Sequence, residues 1–214
     1  MSKTKRLVKP VADDSGSKAR ILRAASAEFA ARGFAGGNVD RIATAAGVNK
    51  AMIYYHFKSK AALYREILRD MFEAVAARLD EMSARQRTPD GKIRAFVEAI
   101  AHEAEARPHF PPIWFREIAE EGAHLDPETI AIMAGILRRL AVIVREGVAA
   151  GRFKPVDPLL VHGGIVAPVL LYYATAGLRK RIAKAGVTGA DRFASRDVIA
   201  HVQRVALTTL HGRT

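Results

Sequence analysis

The 214-residue chain contains no cysteine and a single tryptophan. Without thiols there can be no disulfide, no thiolate zinc site and no cysteine nucleophile, which suits a reducing cytoplasm. Also missing are a glycine-rich phosphate loop, a Walker motif and a nucleophile elbow. The pair His102-Glu103 lacks the second histidine of a zinc-protease helix, since the position four residues on is Ala106. His102, Glu105 and His109 could in principle meet, but Pro108 interrupts the helix between them. These gaps argue against an enzyme and against a bound cofactor or metal. Strand-like alternation and internal repeats are lacking too, which leaves an all-α chain. Residues 1–16 carry Lys3, Lys5, Arg6 and Lys9 but no long apolar run, so they make no secretory signal. With Pro10, Asp13, Asp14 and Gly16 following, they read as a flexible basic arm, either an inert tail or one that touches the minor groove.

Acidic residues are scarce at one end only. Residues 1–60 hold 12 Lys/Arg against 4 Asp/Glu, whereas the remainder holds 22 against 18, within a formal net charge of +12. A basic excess confined to one segment is the electrostatic footprint expected of a DNA-binding element, although a solubilising surface has the same composition.

That segment contains the most informative stretch of the chain, NVDRIATAAGVNKAMIYYHFKSK at residues 38–60. Asn38 can cap a short helix whose apolar positions Val39, Ile42, Ala43 and Ala46 share one face. Gly47 supplies the positive φ of a tight turn, and Val48 plugs the angle between helices. Asn49 caps a second helix with Ile53 and Phe57 on its buried side. Lys50, Ala51, Met52, Tyr54, Tyr55 and His56 then face outward or flank the seam, and Ser59 starts a further helix with Lys60 beside its N-terminus. Cations, phenols and imidazole around two helix N-termini suit a polyphosphate.

The pattern closely resembles the DNA-binding domain of the tetracycline-repressor (TetR) family of bacterial regulators. The resemblance runs from about Ser17 to Leu68: ARILRAASAEFAARGF with its corner at Arg32, Gly33 and Phe34, then RIATAAGV, NKAMIYYHF and SKAAL. The chain departs from the family at Gly36-Gly37-Asn38, where hydroxyl residues are more usual. The resemblance implies that Tyr54, His56 and Lys60 meet phosphates, while Lys50 and Met52 lie on the exposed first turn where bases are read. The DNA-facing set is therefore Asn38, Asn49, Lys50, Ala51, Met52, Tyr54, Tyr55, His56 and Lys60.

Beyond the head, the spacing predicts helices at about 59–84, 89–106, 112–121, two opened by Asp126-Pro127 and Asp157-Pro158, and one at 195–211. Glu117, Glu120 and Glu121 read as a solvated face rather than a cation site. Leu159–Leu178 passes twenty residues without Asp, Glu, Lys or Arg, the length of a bilayer span. Gly163, Gly164, Pro168 and Gly177 favour instead a helix buried on both sides, against core and partner subunit. The resemblance implies that 159–180 and 195–211 form a four-helix dimer interface, for which the seam residues are Val166, Leu170, Val198, Val202 and Val205. It also implies a small-molecule site in the helical body, with Met71, Phe72, Phe96, Trp114, Phe115, Met133, His162 and Tyr172 as candidates and plain core packing as the alternative for each.

The expected organisation is a basic arm at 1–16, a helix-turn-helix domain at 17–62 and a ligand-binding and dimerisation body at 63–214. The expected function is a cytoplasmic, homodimeric repressor released from a pseudo-palindromic operator in double-stranded DNA by an unidentified small molecule, with no membrane partner. An architectural or partner-responsive DNA-binding protein without an effector is the alternative.

Overall fold

The computed structural model describes residues 14–189 and 191–212. Among these the chain forms ten α-helices and no strand, the all-α class predicted from the sequence. It divides into two compact units, one ending at Tyr64 and the other beginning at Arg65. Most of the expected basic arm lies outside the described residues. Its last three positions do not, and they are helical: α1 runs Asp14–Gly36, three residues earlier than Ser17 suggested, with a kink at Gly33.

In the first unit α1 packs on α2 (Val39–Ala46), and α2 on α3 (Lys50–Phe57). The core is drawn from Ile21, Ala25 and Phe29 of α1, the Val39/Ile42/Ala43/Ala46 face of α2, and Ile53 and Phe57 of α3. Each fully buried Ile or Phe among them contributes about 1.5–3 kcal/mol through removal of apolar surface from water. Tyr64 closes the unit, its ring edge-on to Phe29 at 4.9 Å and tilted on Phe34 at 5.2 Å. It belongs to α4 (Lys60–Ala84), which starts in this unit and continues without a break into the second.

The second unit holds the rest of α4 and α5 (Pro89–Ala106), α6 (Phe110–Ala119), α7 (Pro127–Ala149), α8 (Pro158–Ala174), α9 (Ala176–Lys184) and α10 (Ser195–His211). Three helices start on the same chemistry, with proline at the first position and a preceding side chain accepting an orphan N–H. Thr88 bonds Gly91, Asp126 bonds Thr129 and Asp157 bonds Leu159. Pro111 and Pro112 likewise fall in the first turn of α6, where a missing N–H costs nothing, so that helix begins two residues before the expected 112.

α5 and α8 form the middle of this unit: α5 packs on α7, α8 and α10, and α8 on α5, α6, α7 and α10. Polar ties pin the bundle. Gln203 of α10 donates to the Arg94 carbonyl and the Glu98 carboxylate of α5. Glu103 of α5 is almost fully buried and accepts from Arg78 of α4 at 3.1 Å and from Arg107, with His102 Nδ1 at 3.2 Å.

The apolar stretch expected as one helix over 159–180 is broken. α8 ends at Ala174, capped by Thr175, and α9 leaves at 59° to it, carrying Arg179, Lys180, Arg181 and Lys184. The Thr175 hydroxyl donates back to Leu171 O at 2.6 Å, and Arg179 donates to Tyr172 O and to the Thr175 hydroxyl. Leu171 O keeps the Thr175 N–H at 3.0 Å and gains the hydroxyl, while Arg179 caps the Tyr172 carbonyl at the break. No single helix among the described residues is long and apolar enough to cross a membrane.

Candidate nucleic-acid interface and ligand cavity

The α2–α3 corner is held by its own side chains. Asn38 Oδ1 accepts from the Asp40 and Arg41 N–H groups at 2.7 and 3.1 Å, and Asn49 Oδ1 from the Met52 N–H at 2.8 Å. Both asparagines predicted to face DNA are therefore committed to capping through their oxygens. Gly47 sits at φ 65°, ψ 38°, the left-handed region that side-chain-bearing residues avoid, and lets Val48 N–H return to Ala43 O at 3.0 Å. Gly37 is required for a different reason. A Cβ there would lie 2.5 Å from the buried Phe29 ring, so the entry to α2 can approach α1 only without one.

α3 presents Lys50, Ala51, Tyr54 and Tyr55 to solvent, with Met52 and His56 half-buried beside them. Lys50 Nζ pairs with Asp40 Oδ2 at 3.0 Å, and this hydrogen bond holds its ammonium above the ordinary pKa. The His56 ring stands edge-on to Tyr55 and tilted on Phe57. Behind the corner, Glu28 accepts from Arg41 Nε and Nη2 and from the Asn38 N–H, and Arg41 keeps that carboxyl below its usual range. Lys58 stops α3 at φ 65°, ψ −38°, with Ser59 N–H folded back on Phe57 O at 2.7 Å, a tight and strained reversal for a residue with a side chain.

Lys60, expected to meet phosphate, is hydrogen-bonded within the head in the DNA-free chain. Its Nζ points back into the head, donating to Gly37 O at 3.1 Å and lying 4.6 Å from the centroid of the Phe34 ring. The half-buried ammonium satisfies backbone carbonyls at and just past the end of α1, which makes it a clamp on the α1–α2 entry in the DNA-free chain.

The second unit holds a cavity of about 320 Å³ between α4, α5, α6, α7 and α8, open to solvent on one side. Of the predicted ligand candidates, Phe72, Trp114, Met133 and His162 line it. The others do not: Met71 is core, Phe96 meets the His162 ring edge-on from behind, Phe115 is half-buried off the wall, and Tyr172 donates its hydroxyl to Phe193 O beneath Arg179. Burial of the His162 imidazole lowers its pKa. Sequence reasoning missed Val75, Ile100, Phe110, Ile136 and Leu137, because an apolar residue facing a void is spelled like one facing the core.

Two further expectations need correction. Leu170 and Val202, assigned to a dimer seam, are each 2% exposed within one chain, so they have no surface left for a partner; Val166 and Leu170 line the cavity instead. Val198 is half-buried, and Val205 alone of that set is exposed. The acidic run at the end of α6 is not uniformly solvated either. Glu117 is fully buried, accepting the His124 N–H at 2.7 Å with the ring Nδ1 at 3.1 Å, while Glu120 and Glu121 stay outside.

Comparison with known proteins adds a second line of observation. Residues 21–67 match the family model of bacterial regulatory proteins of the tetR family, and residues 89–201 match a tetracyclin repressor-like C-terminal domain. The NicS transcriptional repressor of Pseudomonas putida is 28% identical over 196 residues, covering 89% of this chain and 90% of its own. A transcriptional repressor of Streptomyces coelicolor is 31% identical over 166 residues, 77% of each. Among solved structures, the TetR-family regulator PfmR from Thermus thermophilus aligns with a TM-score of 0.68 at 25% identity, over 88% of this chain and 97% of that one. The regulator FadR from Bacillus subtilis, in complex with stearoyl-CoA, shares the fold at a TM-score of 0.72 and 19% identity, over 90% and 99%.

Proposed function

As the chain belongs to the TetR family of bacterial regulatory proteins, a family of DNA-binding transcriptional regulators, we propose that it is a cytoplasmic homodimeric repressor that a small molecule releases from its operator. The observation that carries this reading is the capped α2–turn–α3 corner with Lys50, Ala51, Tyr54 and Tyr55 exposed on one helix. Lys50, Ala51 and Met52 occupy the first turn of α3 and read base edges; Tyr54, Tyr55 and His56 meet phosphates. On meeting DNA, Lys50 exchanges Asp40 for a base acceptor, so its pairing keeps the free side chain extended in place.

The dimer forms through the exposed side of α8, where Leu160, Gly163, Gly164, Ala167 and Leu171 make an apolar stripe at helical spacing, with exposed Val205 on α10, which packs against α8. The effector occupies the body cavity. Phe72 and Val75 of its wall stand on α4, whose first turns carry Lys60 and Tyr64 of the head, so one continuous helix carries displacement from wall to head. Ligand and DNA then bind with negative coupling of about 1–3 kcal/mol, equal in both directions.

Selection of bound sequences from random DNA tests the reading. Two-fold related half-sites about 34 Å apart, or a multiple of that, are expected. Enrichment of sequences without two-fold symmetry, or no enrichment, overturns it.

A further inference from the structure

Resting on the reading of the body cavity as the effector site, we infer that its ligand is an uncharged, mainly hydrocarbon molecule carrying one hydrogen-bonding group set against His162. None of the fourteen lining residues is Lys, Arg, Asp or Glu, and none carries a hydroxyl or an amide side chain. Only two wall side chains can form a conventional hydrogen bond. The Trp114 indole N–H donates only, whereas the His162 imidazole, neutral at pH 7, donates from one nitrogen and accepts at the other. Neither has a hydrogen-bond partner among the described residues; each ring instead stands edge-on to a phenylalanine, Phe96 for His162 and Phe72 for Trp114.

The chemistry follows from these absences. A carboxylate or phosphate entering this space leaves water and meets no counter-charge, which strongly disfavours it. A ketone, phenol or ring N–H gives up one or two hydrogen bonds to water and recovers them on His162. The volume corresponds to about ten waters of liquid, room for two fused rings or a medium alkyl chain. Ile130 and Leu159 both line the cavity and are exposed, which marks the entrance as apolar too.

Three matched probes separate the possibilities in the full-length protein: butylbenzene, 4-butylphenol and 4-butylbenzoate. Trp114 is the sole tryptophan and stands in the wall, so its emission reports occupancy. Saturable changes are expected with butylbenzene and 4-butylphenol, and a concentration at least tenfold higher for 4-butylbenzoate. His162→Phe should weaken 4-butylphenol about five- to tenfold while leaving butylbenzene within about twofold. His162→Leu provides the same comparison if the phenylalanine variant does not fold. Benzoate binding as well as the phenol, equal weakening of phenol and hydrocarbon in the variant, or no binding up to solubility each overturns the ligand class. Operator affinity measured on the same samples keeps the two readings apart. A phenol that binds without loosening the operator refutes the effector reading and leaves the class standing. A benzoate that loosens it refutes the class and leaves the effector reading.

Discussion

Lys60 and Gly37 meet at one point, the lysine ammonium on the glycine carbonyl, and their substitutions have distinguishable consequences. Lys60→Ala removes a charged donor and a cation–π interaction from a half-buried site, worth about 1 kcal/mol or somewhat more of head stability. DNA affinity should fall with the weakened head, but the dependence of log K on log salt should keep its slope. Were Lys60 instead a phosphate ligand, its removal would flatten that slope by about 0.9 for each subunit. Such flattening in fluorescence anisotropy titrations would return Lys60 to the DNA surface. Gly37→Ala should cost about 1–3 kcal/mol, because the new methyl overlaps a ring that cannot leave the core. Thermal unfolding reads this directly. A variant that melts within a degree of the parent would mean that the α2 entry slides away from Phe29. Lys50→Ala, by contrast, should leave stability nearly unchanged and lower the preference for the selected site by about 1–3 kcal/mol.

At the level of helices, the exposed stripe of α8 predicts where the dimer can be broken. Ala167→Glu puts a charge on a face that one chain leaves open, so the protomer should fold normally and sediment as a monomer that no longer binds the operator. An unchanged dimer would move the seam elsewhere. Val202→Glu, which the sequence pattern alone recommends, buries a charge inside a single chain and should unfold it. The two outcomes show what apolar periodicity can and cannot say. Val39, Ile42, Ala43 and Ala46 were legible because α2 buries one face and its caps, Asn38 and Gly47, are spelled in the sequence. In α8 both faces are apolar, so the pattern holds no sign of which side meets core, cavity or partner. The break at Thr175 was illegible for a related reason: residues on either side favour helix, and the turn is held by Arg179 reaching back to the Tyr172 carbonyl and the Thr175 hydroxyl. Glu117 was misread because its partner His124 lies beyond the end of its own helix.

For the molecule as a whole, pH acts through groups whose ionisation differs between the folded and unfolded chain. Burial pushes His162 below the imidazole's ordinary 6.5, so the folded state binds fewer protons there; stability is complete above that value and declines as pH falls through it. Asp80, held low by Arg139, and Asp126, held low by the Thr129 N–H, add stability that is present above their ordinary 3.8 and disappears as pH falls below it. The thermal midpoint should therefore be level from about pH 8 to 7, sag below about 6.5 and drop again below about 4. His162→Phe should remove the first sag and keep the second. Curves for parent and variant that run parallel from pH 7 to 5 would show that His162 does not set the upper limb.

Glu103 carries an implication for how this sequence can drift over generations. Its buried carboxylate is shared by Arg78 and Arg107 from different parts of the chain. Either arginine can be lost while the other still pairs the carboxylate, and loss of the glutamate leaves Arg78 on Glu81 and Arg107 on Asp70, both partly exposed. Loss of both arginines leaves the buried carboxylate with His102 alone, a step of up to about 3–5 kcal/mol. Simultaneous replacement of all three by hydrocarbon side chains of similar volume can be nearly neutral. The carboxylate therefore constrains its two arginines jointly: either can go first, but not both while Glu103 remains. A scan of single and double substitutions should find Arg78 and Arg107 each tolerant alone and their joint loss strongly destabilising, with the double-mutant coupling energy as the readout. Additive single and double effects would show that the carboxylate does not link them.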